Sequence, residues 1–143
     1  MYYPAAQGIG GYRMVSTLEK GLLWVAGLGF LGFGLAFLLA PLETLAAAGI
    51  EVQGALAVVE LRAFYGGLEL GLGALLVAAA LRPQYHRAGL WLCLASYGGI
   101  GLTRAAGMLA ASIASPFLWF ALLVELALAC AAAFALQRRS RSD

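Results

Sequence analysis

Charge is scarce in this chain. Only 11% of its 143 residues are Asp, Glu, Lys or Arg, while 63% are hydrophobic, and the mean hydropathy is +0.89. Soluble domains carry about a quarter charged residues, so that class is excluded. Histidine and cysteine are nearly missing too, with one and two copies. His86 lies in a basic loop with no acidic or cysteine neighbour in sequence, so a haem or zinc site within one chain lacks ligands, and no metal or cofactor is expected. Cys93 and Cys130 fall at matched depths near helix ends, but there is no Cys-x-x-Cys. They are read as small apolar residues rather than a redox pair. The net charge of +2 gathers at segment ends, leaving no basic face for nucleic acid. Met1 to Val15 has neither an apolar core nor a small-residue cleavage site, so no removable signal peptide is expected. Nothing supplies an activated nucleophile, which leaves an enzyme without a starting point.

What the chain does have is long apolar runs. Ser16-Thr-Leu-Glu19 has capping-box spacing and predicts a helix start. The run that follows, about 20–40, stops at Pro41. Three more follow at about 54–81, 88–111 and 117–136, and each exceeds the roughly 18 residues that mark a membrane span. Pro41 to Gln53 reads as a short interfacial helical turn. Lys and Arg test the count: Arg13 and Lys20 precede the first run, Arg82 and Arg87 join the second and third, and Arg138, Arg139 and Arg141 follow the fourth. The alternate connections have none. Basic residues favour the cytoplasmic side, so the expected fold is all-α: a polytopic membrane protein, a four-helix transmembrane bundle over 16–137 with both termini cytoplasmic. Residues 1–15 form a cytoplasmic segment in this reading and 138–143 a basic tail. Trp24 and Trp91 then fall near one interface and Trp119 near the other.

Ionisable residues inside such spans need partners. At about 1.5 Å rise per residue, Glu60, Arg104 and Glu125 share one level roughly 12 Å from the far helix ends, with Arg62 about 3 Å deeper. Four charges on three helices predict an ionic layer. Arg62, Tyr65 and Glu69 form a stripe on one helix face, whereas Glu60 points about 200° away from Arg62. The second span is therefore polar on two sides. Small residues at every fourth position, Ala95, Gly99, Thr103, Gly107 and Ala111, with Gly67 and Gly71, predict ridges for helix packing. The glycines of the first span fit packing rather than a phosphate loop, since no strand precedes them.

Glu-Leu-Arg-Ala-Phe-Tyr-Gly-Gly-Leu-Glu-Leu-Gly-Leu-Gly (Glu60 to Gly73), with Gly-Gly-Ile-Gly-Leu-Thr-Arg (Gly98 to Arg104) and Gly107, resembles the bacterial four-helix membrane proteins filed as domain of unknown function 4345. Leu-Ala-Phe-Leu-Leu-Ala-Pro at the end of the first span and Glu125 in the last add to the likeness, which covers about Leu18 to Leu136. The resemblance implies a bacterial inner-membrane protein and brings no activity. The residues themselves favour an accessory or binding protein whose ionic layer docks membrane partners, or a lipid-like or quinone-like ligand, in a homo-oligomer or larger membrane complex. The alternative is a small proton-coupled transporter with Glu69 and Glu125 as titrating groups and Arg62 or Arg104 as anion anchor.

Overall fold

A computed structural model describes residues 9–141, with side chains from Thr17 onward. Every regular element among them is helical: α1 (Ile9–Leu39), α2 (Pro41–Ala47), α3 (Ala55–Leu81), α4 (His86–Ala111) and α5 (Pro116–Ser140), with a 3₁₀ turn at Pro83–Tyr85. Three stretches are long and apolar enough to cross a membrane: Thr17–Leu39, Ala55–Leu81 and Pro116–Ser140. α4 is 26 residues long, but Gly, Ser, Tyr, Thr and Arg104 dilute its apolarity below the other three.

Proline sets the boundaries. The residue before each proline is pushed out of the helical region, and Ala40, Arg82 and Ser115 have φ of −138°, −124° and −130°. Each proline then opens the next helical element, where its missing N–H costs nothing. Ser115 adds a cap, its Oγ accepting from the Leu118 N–H at 3.2 Å. α4 ends instead in the left-handed Ser112, φ 51°, and the Ile113 N–H closes back on the Met108 carbonyl at 3.1 Å. The helix start expected at Ser16 moves: α1 is already helical from Ile9, so Ser16 lies inside it rather than at its start. Residues 1–8 lie outside the described part.

α1 packs along α3, and α4 along α5, as two antiparallel pairs that meet over a smaller area. The α1–α3 seam is backbone against backbone. A Cβ on Gly73 would sit 2.8 Å from the Gly27 carbonyl oxygen, and one on Gly34 would sit 3.0 Å from that of Gly66. The two pairs are each seven residues apart, two turns, so one face of each helix carries both contacts. The buried core gathers in one half of the bundle, around Leu23, Phe30, Leu76, Leu90, Cys93 and Tyr97. Tyr97 crosses between the pairs, donating its hydroxyl to the Ala26 carbonyl at 2.8 Å. Outside, the pattern inverts that of a soluble protein: Leu56 and Leu109 are 76% and 81% exposed while Glu19 and Glu125 are 3% and 8% exposed.

Candidate functional site

Of the four charges matched by depth, two meet. Arg104 on α4 grips Glu125 on α5 with Nε 3.0 Å and 2.9 Å from the two carboxylate oxygens and Nη2 2.7 Å from Oε1. The planar fork and the carboxylate fit edge to edge, the strongest form of this pair. Gly101, one turn before Arg104, makes the approach possible, since a Cβ there would lie 3.3 Å from that of Glu125. Both charges are spent on each other, so Arg104 is a clasp between helices rather than an open anion anchor.

The other two part company because depth fixes a level on a helix and not a direction around it. Glu60 is exposed and makes no ion pair among the described residues. Arg62 donates Nε to the Leu38 carbonyl at 3.1 Å. Leu38 is in the last turn of α1, where carbonyls lack helical partners, so Arg62 acts as a C-terminal cap. Gly66 allows this reach, as a Cβ there would stand 3.3 Å from the Leu38 backbone.

α3 is not wound uniformly. Leu61–Gly67 is π-helical, a form that aligns residues five apart and recurs at functional sites. It brings Glu60, Tyr65 and Glu69 to one wall and takes Arg62 off it. That wall, with Phe64 and Leu68, faces Phe30 of α1 and Ile100 of α4 across a hollow of about 520 Å³. The hollow exists because the π segment packs on α1 while α4 meets the Leu68–Leu81 half of α3. Tyr65 lies against Phe37, ring centroids 5.0 Å apart. Glu69 Oε2 is buried without a hydrogen-bond partner. Buried polar atoms are nearly always satisfied, so this oxygen is an exception.

The expected ridges face outward. A Cβ on Gly71, Gly99 or Gly107 would meet nothing within 4 Å, and one on Gly67 only the Arg62 carbonyl at 3.7 Å; Thr103 is exposed with them. Packing inside the chain uses Gly66 and Gly73 instead, neighbours in sequence but on another face. Cys93 is buried and Cys130 exposed, both as free thiols.

A second charged cluster lies at the opposite, basic end, and the sequence reading missed it. Glu19 Oε2 accepts from Arg139 Nη1 at 2.8 Å and sits 3.5 Å from His86 Nδ1. His86 is therefore no interfacial loop residue: it is 3% exposed, opens α4, and its Nε2 lies 3.4 Å from the Ala80 carbonyl oxygen. The signal was available, because Glu19, His86 and Arg139 stand at matching helix ends, the same reasoning that joined Arg104 to Glu125. Glu19 Oε1 is also buried and bare, but its carboxylate is neutralised by Arg139, whereas Glu69 has neither cation nor donor among the described residues. Among the described residues no group of three or more His, Cys, Asp or Glu is arranged to hold a metal ion.

The family model described as domain of unknown function (DUF4345) matches residues 18–136. No curated protein and no solved structure matches the chain.

Proposed function

The chain belongs to the DUF4345 family, a domain of unknown function, and we propose from that starting point that it is a membrane-embedded binding protein. The hollow between α3 and α4 holds a lipid-like or quinone-like molecule. One observation carries the reading: Glu69 Oε2 is a buried acceptor without a donor among the described residues, on the wall of a cavity whose lining, Glu60 apart, is otherwise apolar and aromatic. A cavity of about 300 to 1,000 Å³ suits a small ligand. The complementary ligand is a flat or chain-like apolar body carrying a hydroxyl or amine, such as a quinol or a hydroxyl-bearing lipid, whose donor meets Glu69 while Phe30, Phe64 and Tyr65 cover its rings. The mutual pairing of Arg104 and Glu125 favours this over the proton-coupled transporter, which needs one of them free.

In this reading α4 is the fourth span. It runs beside α5 for its whole length, turns Tyr97 and Arg104 inward and offers Leu102 and Leu109 to lipid. The basic end is then cytoplasmic and the membrane is the inner membrane of a bacterium. The outward ridges Gly67–Gly71 and Gly99–Thr103–Gly107 suit close approach of a second copy or another membrane protein.

Thermal stability of the purified protein against a panel of quinols, quinones, hydroxyl-bearing lipids and carboxylates tests the ligand. A hydroxyl-bearing amphiphile should raise the melting temperature, and Glu69→Leu should abolish that rise. Stabilisation by carboxylates alone, or equal stabilisation of Glu69→Leu, sinks the reading, and proton-coupled flux in proteoliposomes would put the transporter in its place. Cysteines at Gln84 and Ser115 should label from opposite sides of the membrane. Labelling from one side removes α4 as a span.

A further inference from the structure

The first turns of α4 and the last turns of α5 enclose a second hollow, of about 310 Å³, at the basic end. Its rim carries Arg87, Arg139 and Gln137, and its sides Trp91, Leu94 and Leu136. Among the described residues no carboxylate lines it. Arg87 is exposed and has no hydrogen bond or ion pair among the described residues. Arg139 gives one terminal nitrogen to Glu19 at 2.8 Å, and the other donors of its fork remain for another acceptor.

The residues are graded along the helix axes. Trp91 lies one turn below Arg87, and Leu94 two turns, roughly 10 Å, below it on the same face of α4. Leu136 stands one turn inside Arg139 on α5. Cation, indole and aliphatic side chain thus follow one another in the order of phosphate, glycerol ester and acyl chain in a phospholipid. We propose that this hollow is a binding site for an anionic phospholipid, its phosphate between Arg87 and Arg139 and its first acyl carbons on Trp91, Leu94 and Leu136. A free phosphate ion would use the rim alone. The position of the two arginines at the membrane surface rests on the reading of α4 as a span.

Lipid composition around the purified protein, measured in phosphatidylcholine nanodiscs with and without phosphatidylglycerol, tests this. Phosphatidylglycerol should be enriched at the protein and raise its melting temperature. Arg87→Gln should cut that enrichment about fivefold, the scale expected of one interfacial arginine. Arg82→Gln removes the same charge from outside the hollow and should leave enrichment unchanged. Arg87 has no partner among the described residues, so its variant keeps the folded bundle even where Arg139→Gln does not. No enrichment, or equal loss from Arg82→Gln and Arg87→Gln, overturns the site, as does displacement of the lipid by inorganic phosphate. The cysteine labelling at Gln84 and Ser115 is read separately, so failure of the span and failure of the lipid site are told apart.

Discussion

At the basic end three helices converge on one carboxylate, Glu19, which faces Arg139 of α5 and His86 of α4 above a packed core. At the far end the two helix pairs draw apart, and Glu69 faces a hollow with no partner among the described residues. Both ends place a glutamate in an apolar chain, yet Glu19 is buried and paired while half-buried Glu69 has a bare Oε2. A buried charge that is paired holds its neighbours in place, whereas one left open is a cost that the fold bears for another reason. In the proposed reading, the contrast marks the half of the molecule that takes the ligand.

The largest effect should come from the clasp that joins α4 to α5. Arg104→Ala strands Glu125 and should cost about 3 to 5 kcal/mol in unfolding measured in detergent. Adding Glu125→Gln should recover part of that loss, with a coupling of about 0.5 kcal/mol or more, while Glu60→Gln should not couple. A coupling to Glu60 of the same size would erase the distinction between paired and open carboxylates. The α1–α3 seam comes next. Gly73→Ala drives a Cβ to 2.7 Å from Leu31 Cγ and should cost about 1 to 3 kcal/mol by overpacking. Gly71→Ala, two residues away on the open face, should stay within about 0.5 kcal/mol.

The carboxylates themselves give the sharpest comparison. Glu19→Leu should destabilise, because it leaves Arg139 without its anion, whereas Glu69→Leu should leave the ligand-free protein unchanged or raise its stability by about 1 kcal/mol, since it removes an unsatisfied acceptor. Equal losses from both would show that Glu69 is as structural as Glu19. The smallest effect belongs to exposed Glu60, whose change to Gln should alter stability by less than about 0.5 kcal/mol.

The far connection, the ends at Pro41, Pro83 and Pro116, and the Arg104–Glu125 level were legible in the sequence because proline geometry and helical rise act along the chain. Directions around the helices were not. A helix that is polar on two sides has no single polar face to orient it, so Gly67 and Gly71 looked as suitable for the seam as Gly66 and Gly73. The π turn was hidden for a related reason, since nothing in Leu61–Gly67 distinguishes it from an ordinary turn in residue type. The pairing of Glu19 with Arg139, 120 residues away, was obscured by a capping-box pattern that described Glu19 equally well in local terms.

The π turn also changes what a length mutation does to this protein. Leu61–Gly67 is in effect a helix that has taken in one residue too many without breaking. Deleting Ala63 lets the segment rewind as α-helix, and because a π segment turns less per residue than an α segment, the lost residue and the tighter winding nearly cancel. Gly73 would stay seated against Gly27 and Glu60 on the wall of the hollow, while the residues inside the turn, Arg62 and Gly66 among them, change their direction. The same deletion among Leu68–Leu81 would instead swing one side of the helix by about 100° and unseat the glycine seam. One helix therefore contains both a stretch that absorbs a missing residue and a stretch that converts it into rotation.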